Sequence, residues 1–137
     1  MGVKISQKTQ YGLRAIVYLA RFSSKKKLCC LKKISQDEGI PFSFLEKIIA
    51  ELVKNGLVRA QKGAKGGYYL AKKADKIKVG KVIEILEGVT APVSCLEKKT
   101  NFLCPREKLC LAKKFWKKFQ KSINLALKSI TLGELIK

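Results

Sequence analysis

The chain is 137 residues long, carries 30 Lys plus Arg against 10 Asp plus Glu for a formal charge of +20, and contains five cysteines and no histidine. Without histidine there is no Ser/His/Asp or Cys/His catalytic pair, no imidazole general base and no histidine metal ligand, which excludes the usual hydrolases. A hydrophobic share of 47% over this length fills one core, so one compact domain with an appended element is expected.

The positive charge points to a polyanion, either nucleic acid or an acidic membrane surface, as the default partner. Basic residues are spread evenly over both halves, however, and only Arg14, Arg21, Arg59 and Arg106 are not lysine, so a merely soluble Lys-rich surface competes with that reading. No stretch approaches the roughly 20 apolar residues that span a bilayer, and the N-terminus lacks an apolar run followed by a small-residue cleavage site. A cytoplasmic protein with no membrane partner is expected. In a reducing compartment an odd number of cysteines reads as metal ligands, sensors or buried apolar groups rather than a disulfide framework.

Residues 6–22 place Leu13, Ile16, Val17 and Ala20 on one face, as an amphipathic helix does. After the run Ser23 to Lys27, an extended Leu28-Cys29-Cys30 leads into a second helix near 31–38, stopped by Gly39. Adjacent cysteines in an extended piece point to opposite faces, one to the core and one outward. A third helix follows over roughly 42–55. Pro41 holds Ile40 out of the helical region, Ser43 and Glu46 match a capping box, and Asn55-Gly56 closes the far end. Leu45, Ile48, Ile49, Leu52 and Val53 must face a core, which leaves Ser43, Lys47, Ala50 and Lys54 outward. Two short helices around a Gly-containing turn, the second with a small and basic outer face, suit a helix-turn-helix entering a major groove roughly 12 Å wide.

Residues 57–62 and 67–70 read as two strands joined by Gly63-Ala64-Lys65-Gly66, a wing whose glycines let backbone approach phosphates while Lys62 and Lys65 supply charge. Residues 79–87 form a further short helix. The stretch 88–107 then has no apolar period and holds Pro92, Pro105, Cys95 and Cys104; a loop of that length in a small domain usually carries function. From about 108 to 129 runs the longest periodic segment, with Ala112, Phe115, Trp116, Phe119, Ile123, Ala126 and Leu127 on one side and lysines on the others. Its apolar stripe exceeds what a domain of this size covers by itself, so contact with the same helix of a second copy is expected over packing back on its own domain. Thr131 and Glu134 match another capping box.

Cys95, Cys104 and Cys110 are spaced C-x8-C-x5-C beside Lys98, Lys99, Arg106, Lys108 and Lys113, which favour thiolates. Thiolates suit iron-sulfur clusters and zinc. The spacing alone leaves a cluster, a zinc site and unrelated thiols open.

Several motifs taken together resemble the Rrf2 superfamily of winged-helix transcription regulators, whose members include the iron-sulfur regulators IscR, NsrR and RirA. They are Lys-Ile-Ser-Gln-Lys-Thr-Gln-Tyr-Gly-Leu-Arg-Ala (4–15), Gly-Ile-Pro-Phe-Ser-Phe-Leu-Glu (39–46), Lys-Asn-Gly-Leu-Val (54–58), Lys-Gly-Ala-Lys-Gly-Gly-Tyr (62–68), the three-cysteine loop and Ile-Thr-Leu-Gly-Glu-Leu (130–135). The resemblance implies a mainly α protein with a small β-hairpin wing: a winged helix-turn-helix over 1–75, a short helix and cluster loop over 76–107, and a dimerisation helix with a C-terminal turn over 108–137. It also implies a homodimeric repressor, not an enzyme, that binds a double-stranded operator and senses iron, redox or nitric oxide status through a cluster on Cys95, Cys104 and Cys110. Two departures stand out. Where IscR has a histidine ligand three residues after the last cysteine, this chain has Lys113, and where NsrR-like members supply an aspartate from the other subunit, it has Gln10. The fourth ligand then falls to Gln10, Glu97, Glu107, water or a small thiol, with [4Fe-4S] favoured over [2Fe-2S]. A cluster-free regulator answering to thiol oxidation or a protein partner is the competing reading within the family, and a non-specific basic DNA binder the one outside it. Ser43, Phe44, Glu46 and Lys47 are expected at base edges, and Lys54, Lys62, Lys65 and Gly66 at phosphates.

Overall fold

The computed structural model describes residues 5–88 and 109–137. Helix α1 (Gln7–Phe22) starts at Ser6, whose side chain accepts from the Thr9 amide, as an N-cap does. Its buried stripe is Thr9, Gly12, Ala15, Ile16 and Leu19; of the residues expected inward only Ile16 is fully buried, and Leu13, Val17 and Ala20 pack on the margin. The stripe is rotated because α1 is flanked by two helices at once. A Cβ at Gly12 would collide with Leu86 of the fourth helix and press on Ile48 of the third, so small residues occupy the closest approach.

Helix α2 (Leu31–Glu38) ends on Gly39, which takes the left-handed conformation at φ 64 that glycine adopts without strain. Helix α3 (Phe42–Lys54) buries Leu45, Ile48, Ile49 and Leu52, with Val53 at the core edge. The capping box expected from Ser43 and Glu46 does not form. Pro41 itself takes the N-cap position, and its carbonyl accepts the Leu45 amide at 2.9 Å. Ser43 thereby falls inside the first turn, and Ser43 and Glu46 both stay exposed.

Strands β1 (Val58–Gln61) and β2 (Gly67–Leu70) pair antiparallel, Val58 with Leu70 and Gln61 with Gly67. The extended Leu28-Cys29 piece lies on the other edge of β2: the Cys29 amide donates to Tyr68 O at 3.0 Å and the Tyr68 amide donates to Cys29 O at 2.8 Å. A Cβ on Gly67 would run into the Cys29 carbonyl, which explains the glycine there. A 3-10 turn (Ala74–Lys76) leads into α4 (Val79–Glu87).

The long helix α5 runs Lys113–Ser129, starting five residues later than its apolar period suggested, and α6 is Leu132–Leu135. Thr131 caps α6 by accepting from the Glu134 amide at 3.3 Å. Residues 77–79 and 130–132 are stitched together, the Val79 amide donating to Ile130 O and the Leu132 amide to Ile77 O, each at 2.9 Å. Gly80 lies so close to Leu127 that a Cβ would meet backbone. These contacts anchor the C-terminal end of α5 to the head. One core joins Ile16 and Leu19 with Ile34, Leu45, Ile48, Leu52, Ile77, Val82 and Leu132. Helices α2 and α3 with the β1–β2 hairpin form a winged helix-turn-helix, and α5 extends from it with no buried residue of its own.

Candidate nucleic-acid interface and cysteine site

With Leu45, Ile48 and Leu52 buried, the periodicity of α3 leaves Ser43, Phe44, Glu46, Lys47, Ala50 and Lys54 exposed. Phe44 is partly committed elsewhere, its ring meeting Tyr11 of α1 edge-on with centroids 5.6 Å apart. Lys62 and Lys65 stand exposed at the wing tip. The tip depends on its glycines: Gly63 has φ 121, the Gly66 amide donates to Gly63 O at 3.0 Å, and a side chain on Gly66 would strike the Gln61 carbonyl. Arg59 is also exposed, opposite Tyr69 across the hairpin. Ala60 and Gln61 beside it are exposed as well, so of β1 only Val58 is buried.

Two polar contacts behind this surface join distant parts of the chain. Lys8 in the first turn of α1 forms an ion pair with Glu51 of α3 at 2.5 Å. Ser43, Phe44 and Lys47 of α3 line a cavity of about 210 Å³ together with Lys8, Ile48 and Glu51. Glu87, the last residue of α4, receives the hydroxyls of Ser6 at 2.7 Å and Thr9 at 2.5 Å. The Thr9 and Ser6 hydrogen bonds hold its carboxyl below the ordinary carboxylate value. On the far side of α1, the Tyr18 hydroxyl donates to Asp37 at 2.6 Å and Arg14 donates to the Glu38 carbonyl, fixing α2.

Among the candidate metal ligands, Cys110 is a free, half-buried thiol three residues before α5. Gln10 is exposed, and its side-chain Nε2 donates to Ile5 O at 2.9 Å. Cys95, Cys104, Glu97 and Glu107 lie outside the described residues. Among the described residues no three metal-ligating side chains come together. Cys29 is buried and Cys30 exposed, as their adjacency in an extended piece requires; burial pushes the Cys29 thiol up.

A helix-turn-helix with an exposed basic second helix and a glycine-tipped wing defines a winged-helix DNA-binding regulator of transcription. The chain belongs to the Rrf2 family, whose model, described as an iron-dependent transcriptional regulator, matches residues 5–137; this is a family of regulators and not of enzymes. It is 37% identical over 135 residues to the protein rrf2 of Nitratidesulfovibrio vulgaris, covering 98% of this chain and 88% of that one. Among solved structures it is similar to CymR, the global cysteine regulator of B. subtilis (TM-score 0.79, 32% identity, 97% of this chain and 95% of that one). It is likewise similar to T. potens IscR (TM-score 0.76, 37% identity, 99% and 88%). No helix among the described residues is long and apolar enough to cross a membrane.

Proposed function

We propose that the chain acts in the cytosol as a homodimeric repressor that reads a near-palindromic operator and answers to the state of an iron-sulfur cluster on Cys95, Cys104 and Cys110. The observation that carries the DNA-reading part is the outward face of α3, which keeps Ser43, Glu46 and Lys47 free of the core beside the exposed wing lysines. Ser43, Phe44, Glu46 and Lys47 then meet base edges, while Lys54, Lys62, Lys65 and Gly66 hold phosphates. The three functional segments are residues 1–75, 76–107 and 108–137.

Dimerisation rests on α5. Phe115 is 56% exposed on the apolar side of a helix anchored to the head at its C-terminal end. A second α5 laid against this face covers it and sets the spacing of the two heads through residues 77–79 and 130–132.

The donor chemistry fits a cluster: Cys110 is a free thiol at the mouth of α5, and two further cysteines stand in the preceding segment among lysines. Gln10, Glu97 or Glu107 would complete the set. When bound, a [4Fe-4S] cluster with one weakly held iron supplies reactivity toward oxygen, nitric oxide and iron loss. The similarity to Staphylococcus aureus CymR, whose structure was solved in an oxidized form, supports a second reading in which the chain acts without a cluster, by thiol oxidation or through a protein partner.

Anaerobic purification with iron and sulfide analysis and visible spectra, repeated on Cys104→Ala, separates the two readings. Coloured protein holding iron and sulfide, lost in the variant together with regulated operator binding, is expected. Colourless, iron-free protein with DNA binding unchanged in the variant would exclude the cluster.

A further inference from the structure

We propose that the cavity between α1 and α3 is a seat for one DNA backbone phosphate, with Lys8 as a DNA-contacting residue supplied by α1 and Glu51 as the residue that positions it. The inference rests on α3 facing DNA. The cavity, about 210 Å³, is lined by Lys8, Ser43, Phe44, Lys47, Ile48 and Glu51. A water occupies about 30 Å³ in the liquid, so a tetrahedral oxyanion fits with room to spare. Its polar lining consists of two ammonium groups, one carboxylate and one hydroxyl. With the carboxylate engaged by Lys8, the seat keeps a net positive charge and a hydroxyl donor, the set that recognises a single phosphate. Its walls are Phe44 and the buried Ile48, which give a neutral or cationic ligand nothing specific to hold.

Lys8 is far from α3 in sequence and is delivered by two constraints. Glu51 holds its ammonium at 2.5 Å with the lysine side chain still 36% exposed, so the charge sits at the rim of α3 and remains open to a further oxygen. Ser6 and Thr9, on either side of Lys8, are both clasped by Glu87, which fixes the first turn of α1. Because Ser43 and Lys47 also border the surface that meets base edges, a phosphate held here sets the register in which α3 enters the groove.

The test measures binding of the full-length protein to an operator duplex selected from random DNA, and to a scrambled duplex, as a function of salt. Lys8→Gln is expected to weaken both duplexes by about tenfold at low salt and to lower the slope of log K against log salt by about 0.9 per subunit. Lys8→Arg is expected to keep the slope. Glu51→Gln keeps an oxygen that accepts from Lys8 and so preserves its positioning, but removes the only negative charge in the seat, so it is expected to strengthen binding to both duplexes. If Lys8 only staples α1 to α3, Lys8→Gln and Glu51→Gln lower thermal stability alike and leave the salt slope unchanged, and the proposal is overturned. Loss of operator preference in Glu46→Ala with an unchanged slope in Lys8→Gln removes the seat while keeping α3 as the reader. A wild type with no sequence preference removes the reader, and the slope still decides the seat.

Discussion

Thr9 and Glu87 meet where α1 crosses the end of α4: the buried threonine hydroxyl donates to Glu87 Oε2 at 2.5 Å. Ser6, the N-cap of α1, donates to the same oxygen from its side chain at 2.7 Å and points its amide at the carboxylate from 3.3 Å. Glu87 thus fixes the start of α1 from the last turn before the cysteine-bearing segment. Thr9→Val removes the shortest of these donors and leaves a partly buried carboxylate under-satisfied. The expected loss is about 1–2 kcal/mol in urea unfolding, with Thr9→Ser closer to wild type.

The clasp also has a pH signature. The hydrogen bonds from Thr9 and Ser6 lower the folded carboxyl of Glu87 below its ordinary 4.5, so its contribution to stability is complete above that value and disappears as pH falls through the lowered folded one. The stability difference between wild type and Glu87→Gln is expected to be constant from neutrality down to the ordinary value and to shrink below it. A difference that grows on acidification would contradict the clasp.

Tyr18 carries a second signature, on the opposite side of α1. Its hydrogen bond to Asp37, aided by burial and the aspartate's charge, pushes the phenol up to about 12. Ultraviolet titration is expected to show one tyrosine ionising well above the ordinary 10.0, and Asp37→Asn to bring it back down. Stability from this contact is present below the ordinary value and lost as pH rises through the raised one.

Helix α5 has no buried residue, although Phe115, Trp116 and Phe119 form an aromatic cluster with centroids 5.0 to 6.4 Å apart. Phe115→Glu with Phe119→Glu places charge in the proposed contact between copies, where an unpaired charge is costly. Sedimentation is expected to give half the wild-type mass with the far-ultraviolet circular dichroism preserved, and operator affinity is expected to collapse. A wild type that sediments as a monomer would remove the dimer.

The two adjacent cysteines differ in environment. Cys29 is buried with its thiol pushed up by desolvation, and Cys30 is exposed at the start of α2. Alkylation of the native protein near neutrality is expected to label Cys30 and spare Cys29 until the protein unfolds. Equal labelling would show that the strand edge beside Tyr68 opens readily.

Periodicity made α2, α3, the wing and α4 legible, because in each the apolar spacing and the flanking Gly or Pro agree. It misplaced the buried face of α1. There the closest packing is made by Thr9 and Gly12, residues no hydrophobic pattern selects, and their partners Leu86 and Glu87 come from the other end of the head. The capping box at Ser43 failed for a local reason, since Pro41 already starts the helix. The outer residues of α3 and the lysines of the wing were readable as whatever the core did not claim. Lys8, Glu51 and Glu87 were not, because a charged residue shows its partner only when the fold brings two distant segments together.

The most direct test of the account is selection of binding sites by the anaerobically prepared protein from a pool of random duplex DNA, with Glu46→Ala and Ser43→Ala in parallel. Wild type is expected to enrich two related half-sites about 10 base pairs apart from centre to centre, or a multiple of that, and each variant to relax the base preference at particular positions within a half-site. Enrichment of no sequence by the wild type, or of the same sequence by all three proteins, would contradict the assignment of α3 as the element that reads DNA.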